Sequence, residues 1–294
     1  MPEERDRFEE HWGTMIISVA SGKGGTGKTL VSTNLALSLE DKEIQFLDCD
    51  VEEPNAFLFI KPQIDNVMEV EMPVPEVDEE LCTHCKKCAE FCEFSAILVS
   101  PKKVQIFPEL CHSCGGCVLV CPVHAMKEKP FRIGSLKTGK IGNIDFVYGE
   151  LEVSKPLAVP IIREVKRKTN KDKLVIIDSP PGASDPVIAS VSGSDFTILV
   201  TEPTPFGLHD LKIAVDVLEQ LKIPFGVVVN RANIGDRRVC DFCKEKNIPI
   251  LLEIPFDRKI AELYSKAVPF IKVFEMWKDK FRKLYEDIER IVEK

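Results

Sequence analysis

One stretch of this sequence reads Ser21-Gly22-Lys23-Gly24-Gly25-Thr26-Gly27-Lys28-Thr29. Gly22, Gly27, Lys28 and Thr29 occupy the fixed places of the pattern G-x-x-x-x-G-K-[ST]. Glycine lets the backbone come close, so N–H groups from Gly22 to Thr29 can surround an anion. Lys28 then offers a point charge to the β- and γ-phosphates of a nucleotide. The Thr29 hydroxyl suits Mg²⁺, a hard cation that prefers oxygen ligands. Such a loop needs one lysine, yet Lys23 places a second near its start.

Two further runs hold Cys82, Cys85, Cys88 and Cys92, then Cys111, Cys114, Cys117 and Cys121. Both read C-x₂-C-x₂-C-x₃-C, the spacing of two-cluster bacterial ferredoxins. Three closely spaced thiolates wrap three corners of a [4Fe–4S] cube, and the fourth reaches the other cluster. The pattern assigns Cys82, Cys85, Cys88 and Cys121 to cluster one. Cys111, Cys114, Cys117 and Cys92 go to cluster two. The first run departs from the second in one place, with Glu93 rather than proline after its last cysteine. Structural zinc is the competing reading, but it takes ligands in two separated pairs. His84 and His112, inside the ligand loops, read as solvent-facing neighbours. Cys240 and Cys243 are a weaker C-x-x-C signal in a helical stretch; they read as a structural pair, with a bridging cluster as the alternative.

Elements must hold these groups in place. The chain has 294 residues and is 44% hydrophobic, enough for a large α/β domain with a small second one. Met15–Ala20 is an apolar, β-branched run that leads into the loop, and helical spacing follows over 30–39. That is the strand–loop–helix context the loop requires. Ile44–Leu47 is a strand ending in Asp48-Cys49-Asp50, and Leu174–Ile177 is one ending in Asp178. Asp178 suits the water-mediated hold on Mg²⁺ made at the end of such a strand. Asp48 and Asp50 alternate onto one face; Asp48 serves Mg²⁺ or braces the loop. Further strands are predicted at 196–200, 225–229 and 250–254, with helices between, as a mostly parallel crossover sheet requires.

Prolines and then cysteines interrupt this rhythm over 73–130, which reads as an inserted α+β domain. The ATPase-like part is then 15–72 and 131–294, after a charged extension, 1–14. Residues 270–294 carry Phe274, Trp277, Phe281, Leu284, Ile288 and Ile291 on one helical stripe, which reads as packing on the sheet rather than on a membrane. No run is long and apolar enough to span a membrane. A net charge of −8 argues against non-specific nucleic-acid binding. Eleven cysteines without a secretory signal point to metal ligation in a reducing cytoplasm.

Lys23 beside Gly24-Gly25 resembles the deviant phosphate loop, KGGxGK[ST], of the MinD/ParA/Mrp ATPase superfamily. The resemblance implies a mostly parallel α/β phosphate-loop fold, here with an inserted bacterial-type ferredoxin domain. It implies ATP or ADP with Mg²⁺, two [4Fe–4S] clusters, and a homodimer or a dimer with a paralogue. In that family the first lysine acts across the dimer on the partner's nucleotide, which gives Lys23 its role. Asp50 matches the water-orienting carboxylate and Asp48 the aspartate near Mg²⁺. Asn230, Pro255, Phe256 and Asp257 match segments around adenine. Hydrolysis coupled to electron transfer toward a redox partner is the leading expectation. The alternative is a cluster-assembly carrier of the Mrp kind serving an apo-protein client; a positioning ATPase, needing DNA or membrane, ranks last.

Overall fold

The structure is a computed structural model that describes residues 15–153, 155 and 157–293. The extension expected at 1–14 lies outside the described residues. In chain order, β1 (Ile16–Ala20) runs through the phosphate loop into α1 (Lys28–Ser38). Next come β2 (Ile44–Asp48), the short α2 (Ala56–Ile60) and the long β3 (Gln63–Val77). The cysteine region contributes α3 (Lys87–Phe91), β4 (Ile97–Val99), β5 (Val104–Ile106) and α4 (Gly116–Leu119). Then β6 (Met126–Ile141) returns and turns into β7 (Ile144–Leu151), followed by α5 (Val159–Arg167). The rest alternates: β8 (Leu174–Asp178), α6 (Asp185–Val191), β9 (Phe196–Thr201), α7 (Pro205–Leu221) and β10 (Phe225–Asn230). It ends with α8 (Arg238–Glu245), β11 (Ile250–Ile254), α9 (Arg258–Ser265) and α10 (Met276–Val292).

Nine strands form one sheet in the order β11-β10-β9-β1-β8-β2-β7-β6-β3. Neighbours from β11 to β7 are parallel; β6 and β3 add antiparallel edges. β2, β8 and β9 are buried along their whole length, because helices cover both faces, and they therefore read as unbroken apolar runs. Ile17, Phe46, Phe146, Ile176 and Phe196 pack one face against α1 and α10. Leu47, Val175 and Ile177 pack the other against α5, and Leu199, Val227 and Val229 pack against α7 and α8.

β3 and β6 pair from Gln63↔Lys140 to Val77↔Met126, yet β7 accompanies β6 only along Gly134–Ile141. Beyond that point the two strands leave the sheet as a two-stranded ribbon. Both strands run unbroken through positions 73 and 130. Proline cannot donate to a ladder and is confined to strand edges. Pro73 and Pro130 face each other where the ribbon has no third strand, so both are tolerated. The cysteine region follows the ribbon's far end and folds back along it: Cys117 and Cys121 pack around a small core of Ile97, Val104, Ala125 and Met126, whereas Cys92 and Cys111 pack with Val70, Met72 and Val74 of β3.

The apolar stripe of α10 buries Trp277, Phe281, Leu284 and Ile288 in the main core. Phe281 is fully buried. Phe281→Ala is expected to lower unfolding free energy by about 3–5 kcal/mol in denaturant melts, without creating or removing binding to lipid vesicles.

Candidate functional site

The phosphate loop bends because its glycines adopt backbone geometry that side chains resist. Gly25 and Gly27 have φ of +78° and +99°. A Cβ on Gly27 would meet Asn230 Nδ2 at 2.5 Å, and one on Gly22 would meet the Asp210 carbonyl oxygen of α7 at 2.2 Å. The loop is thus clamped between β10 and α7. It opens into a cavity of about 270 Å³. Gly24, Gly25, Gly27, Lys28 and Thr29 line one side, with Asp50 beside them; Asn230, Pro255, Phe256 and Asp257 line another. Gly22, Lys23 and Thr26 are not part of this lining. Thr26 has a buried hydroxyl without a partner, and its carbonyl accepts from Asn230 Nδ2 at 2.8 Å. Asn230 Oδ1 accepts the Arg231 N–H at 2.9 Å, so this side chain ties β10 to the loop at both ends. Asp257 accepts the Lys259 N–H at 2.7 Å and caps α9. Glu53, Asn55, Arg231 and Tyr264 also line the cavity; sequence reasoning placed Glu53 and Asn55 only in a region near Asp50 that should respond to nucleotide, and missed Arg231 and Tyr264. Glu53 and Asn55 belong to a stretch that already held two carboxylates; Arg231 and Tyr264 left no pattern, since only folding brings them there.

Three carboxylates converge here and differ in circumstance. Asp48 and Asp178 are both fully buried, at paired positions of β2 and β8. Asp48 accepts backbone N–H groups from Asp50 and Ala56, each at 3.1 Å, and so braces the loop between them. Neither oxygen of Asp178 has a hydrogen-bond partner. Burial pushes both carboxyls up, Asp48 well above its ordinary range. Lys28 and the Thr29 hydroxyl pull Asp178 the other way. An orphaned buried carboxylate next to a hydroxyl is a hard-oxygen donor set, and it fits Mg²⁺. Asp50, at the cavity wall, is pushed up to about 6 by burial, against the pull of Lys28.

Lys23 does not line the cavity; its ammonium lies 3.9 Å from a carboxylate oxygen of Glu202. Glu202 also pairs with Arg231 at 2.6 Å. Its side chain is only 10% exposed, so one buried carboxylate is shared between a loop lysine and a cavity arginine.

The eight run cysteines surround two separate cavities. Cys82, Cys85, Cys88 and Cys121 line one; Cys92, Cys111, Cys114 and Cys117 line the other. The two runs share unusual backbone geometry at matched positions. His84 and Ser113 have φ of 53° and 55°, Lys86 and Gly115 have 68° and 70°, and Ser95 and His124 have 53° and 52°. These left-handed residues turn successive N–H groups inward, making anion-binding concavities. The Ser113 N–H donates to Cys111 Sγ at 3.4 Å, and the Ala125 N–H to Cys121 Sγ at 3.2 Å. Burial pushes the Cys117 thiol up to about 11. At Cys121 burial also acts upward, but N–H groups of Val123, Met126, Ala125 and His124 outweigh it and hold the thiol below its usual value. A tetrahedral zinc with Zn–S bonds of about 2.3 Å brings its sulfurs to about 3.8 Å from one another. Among the described residues, the one set of three ligand atoms within 4.8 Å of one another is Glu79, Cys82 and His84, which holds a single thiol. Cys243 is fully buried among the side chains under α8, whereas Cys240 is partly exposed, 4.0 Å from Glu253. His112 is exposed and stacks on Phe94 at 3.7 Å. His84 meets the solvent-facing expectation only in part: its side chain is a quarter exposed, but Nε2 is shielded and lies 3.4 Å from Glu79 Oε2.

Comparison with known proteins adds to this geometry. The CobQ/CobB/MinD/ParA nucleotide binding domain matches residues 17–270. An uncharacterized protein of Methanocaldococcus jannaschii is 30% identical over 262 residues, covering 88% of this chain and 92% of that one. An iron-sulfur cluster carrier protein of the same organism is 25% identical, over 95% of this chain and 84% of its own. An iron-sulfur cluster carrier protein of Rickettsia bellii is 24% identical, over 94% and 71%. Among solved structures, the septum site-determining protein MinD with Mg-ADP from Pyrococcus horikoshii overlays with a TM-score of 0.59 at 21% identity, covering 95% of this chain and 97% of the other. The α/β fold with its large, mostly parallel sheet is therefore that of MinD and ParA proteins. Among the described residues no helix is long and apolar enough to cross a membrane.

The carboxylates make a pH prediction for nucleotide-free protein. The folded state holds the Asp50 proton to about pH 6, whereas the unfolded chain releases it near its ordinary value of about 3.9. Stability therefore falls as pH rises between these values. Asp50→Asn, which does not titrate there, is expected to gain on the parent by on the order of 2 kcal/mol across that window, read from denaturant midpoints at pH 4 and pH 7. Asp178→Asn is expected to be more stable than the parent without Mg²⁺ at pH 7, and to lose the extra melting-temperature rise that Mg²⁺ adds to nucleotide.

Proposed function

The chain belongs to the CobQ/CobB/MinD/ParA nucleotide-binding family, and on that premise we propose that it is a dimeric, Mg·ATP-hydrolysing protein that carries iron–sulfur clusters on its own cysteine module. The observation that carries the reading is the pair of cavities, each lined by four cysteines. The module is a bacterial-type ferredoxin domain with ligands divided as the cavities divide them. A bound [4Fe–4S] cluster supplies one-electron chemistry or is itself the cargo. The names of the carrier relatives favour cargo: the clusters are handed to an apo-protein client.

At the nucleotide, Lys28 and the loop N–H groups hold the phosphates. Thr29 and Asp178 hold Mg²⁺, with Asp48 bracing the loop that presents Asp50. A carboxylate titrating near 6 is suited to orient a water and accept its proton. Lys23 leaves Glu202 and reaches the nucleotide of a partner subunit, so hydrolysis requires pairing. A route to the clusters is built from backbone. The Leu151 N–H donates to Val51 O at 2.8 Å, and the Glu152 N–H donates to Ile133 O at 2.9 Å. Val51 follows Asp50, and Ile133 sits at the root of the ribbon in β6. A change of the loop around Asp50 is thereby passed to the strand that leads to the cysteines.

A second reading, electron transfer, is favoured by the repeated backbone geometry around the two runs, which cages each cluster in N–H groups; caged clusters are poor cargo. One anaerobic experiment separates the two. Reconstituted protein is mixed with an apo-ferredoxin acceptor, with and without Mg·ATP, and its midpoint potentials are recorded in parallel. Cluster transfer that Mg·ATP speeds tenfold or more, and that Lys28→Ala abolishes, is the carrier outcome. No transfer, but a potential shift of about 60 mV with Mg·ATP, roughly tenfold for one electron, gives the electron-transfer reading. A protein that takes up no cluster overturns both. Lys23→Ala is expected to cut steady-state hydrolysis at least about 100-fold while nucleotide affinity changes less than about threefold; full activity in a monomeric Lys23→Ala protein would refute the role across the dimer.

A further inference from the structure

One shielded cation has no part in the site described above. Lys166, near the end of α5, is half-buried, and its ammonium donates to the carbonyl oxygens of Ala189 at 3.1 Å, Ser190 at 2.8 Å and Ser192. An ammonium has three donors and no acceptor, so all three are committed to the C-terminal end of α6. The last carbonyls of a helix lack partners within it and carry the negative end of its dipole. A cation there satisfies both, which offsets the burial that pushes the Lys166 ammonium below its usual range. Lys166 lines neither the nucleotide cavity nor either cysteine cavity.

Each of the two helices it joins has another end at a place of consequence. α6 spans seven residues, about 10 Å of helix, and starts just past the loop that follows Asp178. Pro181 of that loop lines the nucleotide cavity, and the Gly182 N–H donates to Ser21 O beside the phosphate loop at 3.0 Å. α5 rests on the root of the ribbon. A Cβ on Gly134 of β6 would lie 2.5 Å from Ile161 Cδ1. One on Gly149 of β7 would lie 2.5 Å from Ile161 Cγ2, 2.8 Å from Val51 Cγ1 and 3.0 Å from Val165 Cγ2. Gly134 pairs with Leu151, the last step at which β7 accompanies β6. Cys49, Val51, Ile161, Val165 and Ala189 share one core cluster, with Cys49 flanked in sequence by Asp48 and Asp50.

The reading that follows rests on the proposed nucleotide-dependent handling of clusters. We propose that Lys166 is a positioning residue that couples the Asp178 loop to the ribbon carrying the cysteines. The cation holds α6 and α5 as one body. When Mg·nucleotide displaces the loop, α6 moves with it, and its three carbonyls carry Lys166 and α5 along. Ile161 then shifts against Gly134 and Gly149, where no side chain cushions the contact, and the ribbon turns at its root. This path is separate from the backbone bonds around Val51, because it begins at Asp178 rather than at Asp50.

Amide hydrogen exchange of the full-length protein, reconstituted anaerobically, reads both ends of this path. One peptide covers the phosphate loop and another covers 128–136 at the ribbon root; each is followed with and without Mg·ATP. In wild type both are expected to exchange more slowly with Mg·ATP, the ribbon peptide by at least about threefold. Lys166→Met keeps the length of the side chain but not its donors. It should keep the slowing at the phosphate loop and lose it at the ribbon, and Lys166→Arg, which restores a donor cation, should recover it in large part. Lys173→Met is the control: it removes a shielded ammonium that pairs with Glu43 and Asp145 off this path, and it should leave the ribbon response unchanged. Ile161→Val, which trims the contact with Gly134, should weaken the ribbon response with Lys166 intact, and it decides the matter if Lys166→Met does not fold. A ribbon response that survives Lys166→Met, or that Ile161→Val leaves whole, overturns the coupling role. So does its loss in Lys173→Met, or a wild-type ribbon that ignores Mg·ATP while the phosphate loop responds. A wild-type phosphate loop that Mg·ATP does not protect instead overturns the nucleotide reading on which this inference rests.

Discussion

Asp48 and Asp178 sit side by side at the ends of β2 and β8, and neither touches solvent. Two like charges in that position cannot both be left uncompensated. The parallel sheet forces the pairing, because the strands run in register from Ile44↔Leu174 to Asp48↔Asp178. The two carboxylates resolve the conflict differently. Asp48 turns to the backbone N–H groups of Asp50 and Ala56. Asp178 remains without a partner beside Thr29 and Lys28, so a cation delivered with nucleotide relieves the strain of burying it. An ordered loop and an unpaired carboxylate beside the phosphate loop are therefore two consequences of one electrostatic constraint.

The same constraint reaches the cysteines. The loop that Asp48 braces contains Val51, which accepts from the end of β7, and β7 supports β6 where the ribbon begins. From there the ribbon carries the cysteine region as a stiff antiparallel pair, with Cys92 and Cys111 packed in the same buried cluster as Val70, Met72 and Val74 of β3 and Arg132 bridging Glu69 and Glu152 at the ribbon's root. A flexible linker would decouple the two regions; two strands continuous with the sheet do not. Lys23 adds a second balance, since it shares the buried Glu202 carboxylate with Arg231, which by itself would remain to compensate that charge if Lys23 moved away.

Much of the fold was legible in advance. The buried central strands appear as short β-branched runs, and the phosphate loop is recognisable because its glycines and Lys28 answer to local geometry. The ribbon was not legible. Pro73, Pro75 and Pro130 argue locally against strands, and only the absence of a third strand beside them makes them acceptable. The spacing of the two cysteine runs is a local property as well, and so is their repeat. The difference between them is not: Glu79 reaches His84 because β5 fixes its carboxylate from another part of the chain.

The sequence alone thus determined which residues have the side-chain chemistry and spacing suited to phosphate, Mg²⁺ and iron, because those choices depend on residue type and on spacings of a few residues. The tertiary structure decided which of them are free to act. It spent Asp48 and Asn230 on backbone partners, left Asp178 without a hydrogen bond, set His84 against Glu79 and parked Lys23 on Glu202. Each outcome depends on which strand or helix packs alongside, and contacts between distant segments leave no periodic trace in the chain.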